Sequence, residues 1–251
     1  MQFIKIILLI GVLLPQIIFS QRGKDGVKVV SGTEVVNEYT YLTATANIGA
    51  TTITVQNSTL NTNSRFTSAL QPGDLLFIYN IQGVEIIGVP APWRLEISNP
   101  DDATWGGITD YRNCGFYEFA EVSNVINGTQ IELTCGLTFN HTIGSFNEKV
   151  LVVRVPRYQA LTVNAGGELT CDNWDGQVGG TVVIEVQGVS TINGTIDVSE
   201  KGFRGGELFE DNGTNYEAVY AGDKVQFGGQ KGEGIAGYQT EYNIFGGGFA
   251  R

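Results

Sequence analysis

The chain has 251 residues, 42% of them hydrophobic and only 16% charged, which is enough apolar material for one large or two small β domains. Its formal charge is −11, and no basic cluster interrupts the acidic excess, so a nucleic-acid-binding role is excluded: phosphate backbones are repelled. A single histidine excludes a histidine-based zinc centre.

Met1 to Ser20 has the pattern of a secretory signal. Lys5 is its basic start, and Ile6 to Phe19 is an apolar run of about 14 residues, long for a signal and short for a membrane span. Ser20 is small enough for the last position of the leader, so cleavage is expected between Ser20 and Gln21. The remaining chain has 14 basic and 26 acidic residues and no stretch long and apolar enough to span a bilayer. A secreted or cell-surface location, at the outer-membrane exterior, follows as the expectation.

Residues 21–38 read as a mobile leader running into a first strand. From Tyr39 to Pro156 short Thr- and Val-rich runs alternate with turn residues. Gln71-Pro72-Gly73-Asp74 is a turn into Leu75–Tyr79, an apolar run expected as a buried central strand. Pro90 to Asn113 is irregular and contains Trp93 and Trp105, which either stack on a sugar or pack on the domain itself. Phe116, Phe119 and Val122 are candidate inward positions of the next strand, and Asn127-Gly128 is a hairpin signal. Lys149 to Val155 is a further buried run. About eight short strands in this span predict a small β-barrel or sandwich.

Glycine then becomes denser, with 13 residues between Gln21 and Gln159 but 20 between Ala160 and Arg251. Residues 157–206 hold apolar runs too short for helices, each closed by Gly or Asn. Val163…Leu169 and Ile192…Ile196 match at an interval of roughly 27 to 29 residues. This pattern predicts the start of a parallel, Gly-rich β-solenoid of the right-handed β-helix type. Residues 207–251 alternate aromatic residues with glycine and end without a closing strand, so the chain is expected to be the N-terminal piece of a longer protein. The fold class expected for the whole is all-β.

The stretch LTVNAGGELTCDNWDGQVGGTVVIEVQGVSTINGTIDVSEKGFRGG, the PGDLLFIYNIQG block at Pro72 to Gly83 and the signal ending at Ser20 resemble the N-terminal region of large exported surface proteins of Bacteroidetes-type gliding bacteria. That family is gliding motility-associated or adhesin-like and secreted by the type IX system. The resemblance covers roughly Tyr39 to Arg251, implies secretion machinery as a partner, and carries over no catalytic residues.

Export permits a disulfide, and Cys114 with Cys135 is the favoured pair, the alternative being three buried free thiols. Asp172 and Asp175, in Asp172-Asn173-Trp174-Asp175-Gly176, are candidate Ca2+ ligands or residues of an Asx-type turn. Five Asn-X-Ser/Thr triplets, among them Asn140-His141-Thr142, are read as turns, with His141 at an exposed hairpin tip. Asp197, Glu200, Lys201, Arg204, Glu207, Glu210 and Asp211 form an acidic cluster read as a solvated rim. With no catalytic constellation, the expected role is structural and adhesive, with surface glycans or other envelope components as partners, no catalytic residue, and no cofactor beyond calcium. The alternatives are a β-helix polysaccharide-degrading enzyme and a passive carbohydrate-binding module.

Overall fold

The computed structural model describes residues 21–86, 108–144, 147–205 and 233–236. All regular structure among them is β, with strands and no helix, and so none that could cross a membrane.

Six antiparallel strands form the larger sheet. Their order is β3 (Glu38–Tyr41), β10 (Lys149–Val155), β5 (Leu75–Gln82), β8 (Tyr117–Asn127), β9 (Gln130–Leu133) and β4 (Thr52–Thr54). The sequence dictates the layering. In β5, LLFIYNIQ, burial alternates strictly and turns Leu76, Ile78, Asn80 and Gln82 inward. In β10, KVLVVRV, every residue from Val150 to Val155 is buried, as a strand covered on both faces requires. Register shifts in β8 between Val122 and Asn124, and between Val125 and Asn127, bend it so that its first half pairs with β5 and its second with β9. The sheet curls into a half-barrel whose outer strands meet at an antiparallel bridge between Leu42 and Val55, where the Thr43 amide donates to the Thr54 carbonyl at 3.0 Å. Leu42, Ile53, Leu76, Ile78, Ile131 and Val152 fill its interior. A separate pair, β6 (Glu85–Ile86) and β7 (Ile108–Asp110), lies beside it.

Parallel ladders make up the rest. β1 (Val27–Val30), β12 (Ala160–Val163) and β15 (Ser190–Ile192) form one; β2 (Thr33–Val35), β13 (Glu168–Thr170) and β16 (Thr195–Ile196) form a second; β11 (Arg157–Tyr158) and β14 (Glu185–Val186) form a third. Arg157 is level with Glu185, Leu161 with Ser190 and Glu168 with Thr195, so the offsets are 28, 29 and 27 residues, matching the interval read from the sequence. Val30, Val163, Leu161 and Leu169 are the buried core between the rungs. Gly167 sits where two rungs touch: a Cβ there would lie 2.6 Å from the Val30 carbonyl oxygen. Ile192 and Ile196, level with buried Val163 and Leu169, are 43% and 50% exposed.

The ladders correct one expectation. The segment 21–38 is no mobile leader: β1 and β2 form its first rung, paired with β12 and β13. The half-barrel is therefore an excursion between the first and second rungs.

Buried arginines join the two parts. Arg154 contacts Asp74 Oδ2 at 2.8 Å, donates to the Ser68 carbonyl at 2.8 Å and lies 3.9 Å over the Phe66 ring. Asp74 also holds Lys24 and accepts from the Gln71 amide. Arg157 reaches Glu185 of β14 at 2.5 Å, Glu121 of β8 at 2.8 Å and the Gly73 carbonyl at 3.0 Å. Arg154→Ala strands the buried Asp74 carboxylate and is expected to lower the unfolding free energy by about 3–5 kcal/mol in a urea titration, while Arg157→Ala, whose partners Glu121 and Glu185 are only partly buried, should lower it by less. Arg22→Ala, whose side chain is 66% exposed beside Glu185, should change it by under about 1 kcal/mol. Equal effects would show that the buried pairs do not hold the junction.

Candidate functional site

The outward face of the half-barrel supplies the strongest candidate. Register aligns Tyr39, Val153, Phe77 and Phe119 in one cross-strand row and Tyr41, Leu151, Tyr79 and Tyr117 in the next. Exposure rises across the rows. Val153 and Leu151 are fully buried, Phe77 and Tyr79 are half-buried, and Phe119 and Tyr117 are 52% and 55% exposed. Phe77 is the hub, with ring centroids 5.3 Å from both Tyr117 and Phe119 and 5.8 Å from Tyr79. Cross-strand aromatic pairs at such distances lock one another's rotamers. The result is a fixed cluster of rings, open on the β8 side and without a charged residue in either row. Phe116 and Phe139, tilted against each other with centroids 5.1 Å apart, form a second exposed ring pair.

A buried polar latch ties the segment carrying Phe139 to β8. The Asn80 amide donates to the carbonyls of Asn113 and Asn140, and its Oδ1 lies 3.0 Å from Nδ1 of His141. His141 Nε2 meets Glu118 Oε1 at 2.9 Å, and Glu118 also accepts from the amides of Thr138 and Phe139 and the Thr138 hydroxyl. His141 is fully buried, not at an exposed tip. Burial pushes the Glu118 carboxyl up, but its hydrogen bonds from the Thr138 amide, His141 and the Phe139 amide outweigh this and hold it below its ordinary value. Burial lowers the His141 imidazole below its ordinary value, against the opposing pull of Glu118.

The other residues singled out from the sequence fall elsewhere. Phe116 and Phe119 were expected inward and face outward; only Val122 of that trio is buried. Trp93, Trp105, Ser20, Glu207, Glu210 and Asp211 lie outside the described residues, and Gln21 is the first described. Asp172 grips Arg65 with both oxygens at 2.7 and 2.8 Å, while Asp175 closes its own turn by accepting from the Gln177 and Val178 amides. The candidate calcium ligands are thus each engaged with a different protein group. Asp197 likewise caps Ser199.

The Cys114–Cys135 disulfide is not formed, and Cys171 is free as well. The Thr134 amide donates to Glu121, which puts Cys135 level with Ala120 of β8, whereas Cys114 lies in the turn before that strand. Three residues of β8, roughly 10 Å at ~3.3 Å per residue, and then the turn separate the two positions.

No protein-family model and no curated protein matches the sequence. Among solved structures the chain is similar to the Gp54 tailspike of Acinetobacter baumannii bacteriophage AP22, in complex with A. baumannii capsular saccharide, at 13% identity and a TM-score of 0.29, over 68% of this chain and 27% of that one. It is also similar to the Pseudomonas phage phi297 tailspike gp61, at 11% identity and a TM-score of 0.27, over 68% of this chain and 25% of that one. The chain spans about a quarter of each, and scores of this size establish neither a common fold nor a common function.

Glu118 and His141 both titrate below their ordinary values, about 4.5 and 6.5, so each contributes stability above that value and loses it as pH falls through the lower folded value. Stability should therefore fall from about pH 6.5 downward, and Glu118→Gln should flatten the lower part of that fall in denaturation curves taken across pH. An unchanged slope would remove Glu118 from the acid response. In a thiol titration of the folded chain, exposed Cys135 should react first, half-buried Cys114 more slowly and buried Cys171 only on unfolding. Fewer than three reactive thiols in denaturant without reductant would show that a disulfide forms after all.

Proposed function

We propose that this chain is an exported, adhesive surface module that binds glycans without turning them over, as a passive carbohydrate-binding unit does. The observation behind this reading is the fixed, half-exposed ring cluster of Phe77, Tyr79, Tyr117 and Phe119. Pyranose rings have an apolar C–H face that packs on aromatic rings, and rings already locked by neighbours lose little entropy on binding. The parallel ladders, with their 27- to 29-residue offsets, are proposed as the first coils of a β-solenoid that carries the module as a rigid rod. Attachment would then sum many weak contacts along such rods. Gliding motility and type IX export are the setting implied by the resemblance of the PGDLLFIYNIQG and GFRGG blocks. Secretion machinery and envelope components are the partners in that setting.

The test is affinity electrophoresis of the full chain through gels containing polysaccharide. Removing both exposed rings, as Tyr117→Ala with Phe119→Ala, should weaken retardation by about tenfold or more, since each stacked ring contributes about 0.5–1.5 kcal/mol. Circular dichroism should stay unchanged, because both side chains are more than half exposed. Retardation that survives the double substitution would move the site away from these rings. Product release from the polysaccharide would turn the assignment to the degrading enzyme.

A further inference from the structure

Most cations among the described residues are already committed to contacts within the fold. Every arginine among the described residues is ion-paired: Arg22 and Arg157 with Glu185, Arg65 with Asp172, Arg112 with Glu85, Arg154 with Asp74 and Arg204 with Glu233. Lys24 and Lys28 are held by Asp74 and Glu34, and Lys149 lies 5.8 Å over the Trp174 ring. The two outward aromatic rows contain no charged residue, and Glu121, which follows on the same face of β8, is bound by Arg157. The formal charge of the chain is −11.

From this we infer that the ring cluster takes an uncharged polysaccharide chain and discriminates against uronic-acid and sulfated glycans. The inference rests on the glycan-binding reading above and names its ligand class. A carboxylate or sulfate brought down onto these rings loses hydration and meets no cation within either ring row, which is unfavourable in itself. The acidic surplus adds repulsion that acts across about 8 Å at physiological salt and farther at low salt. A neutral sugar meets neither obstacle. Its hydroxyls find phenols at Tyr79 and Tyr117, and burial, with Cys114 nearby, holds the Tyr79 phenol above its ordinary value and so protonated as a donor.

Calorimetric titration of the full chain with neutral gluco- and manno-hexaoses, and with oligomers of polygalacturonate and chondroitin sulfate, decides the matter. Neutral chains should bind at least about tenfold more tightly than acidic ones, with the gap widest at low salt, and Tyr117→Ala should weaken the neutral ligand about tenfold. Acidic oligomers that bind as tightly as neutral ones, and lose affinity in Tyr117→Ala, overturn the inference while leaving the glycan-binding reading in place. Absence of binding by every oligomer overturns that reading and the inference with it. Sedimentation then tells what covers the rings: self-association abolished by Tyr117→Ala assigns the face to a second copy of this chain.

Discussion

The ion pairs of the buried arginines Arg154 and Arg157 are the constraint on which the architecture depends. The half-barrel leaves the first rung at β2 and returns to the second at β11, so its entry and exit strands must lie side by side. They do: β3 pairs with β10, with Glu38 level with Arg154. Asn37 stitches the same point, donating to the Arg154 and Val183 carbonyls and accepting from the Val183 amide. Charges buried in this way are expensive to desolvate, and an apolar joint could be as stable. What an arginine adds is direction. Arg157 reaches Glu121 of the half-barrel and Glu185 of the ladders together, which fixes how one part sits on the other.

That joint also explains why part of the aromatic face stays open. Tyr39 donates to the Thr181 carbonyl and Lys149 lies over Trp174, so the segment between β13 and β14 lies against the β3 and β10 side of the sheet. Leu151 and Val153 are fully buried there. Two strands further on, Tyr117 and Phe119 remain more than half exposed in the same two rows. A contiguous apolar surface left in water forgoes hydrophobic stabilisation, and such patches characteristically serve interaction. The latch of His141, Asn80 and Glu118 is placed at the edge of this face and holds Phe139 against Phe116.

The all-β class, the eight strands between Glu38 and Val155 and the rung offset were legible because each is written locally, in β-branched runs, turn residues and a repeat interval. The first rung was not, because Val30 finds Val163 only across the intervening half-barrel and no short-range pattern announces so distant a partner. Phe116, Phe119 and Val122 were assigned one face by hydrophobicity, yet a strand alternates with period two and cannot place all three together. The signal that could have located the ring cluster is the pair of strings LLFIY and FYEF: alternate positions in each carry Phe77 and Tyr79, and Tyr117 and Phe119. His141 was misread because its three-residue context is that of a turn, while its partners Glu118 and Asn80 are 23 and 61 residues away.

The commitment of the cations inside the fold has a consequence for how such a surface can hold anything. Arg154, Arg157 and Arg65 join segments of the fold, and the ring rows carry no cation of their own on a chain with a formal charge of −11. The acidic surplus opposes electrostatic steering toward anionic partners, and ring stacking contributes only about 0.5–1.5 kcal/mol per contact. A single site built this way is weak. Strength has to come from repetition along a polymer that offers the same sugar face many times, or from many chains held in register. The ladders are suited to that demand, since rungs offset by 27 to 29 residues and pinned by glycines such as Gly167 make a stiff support.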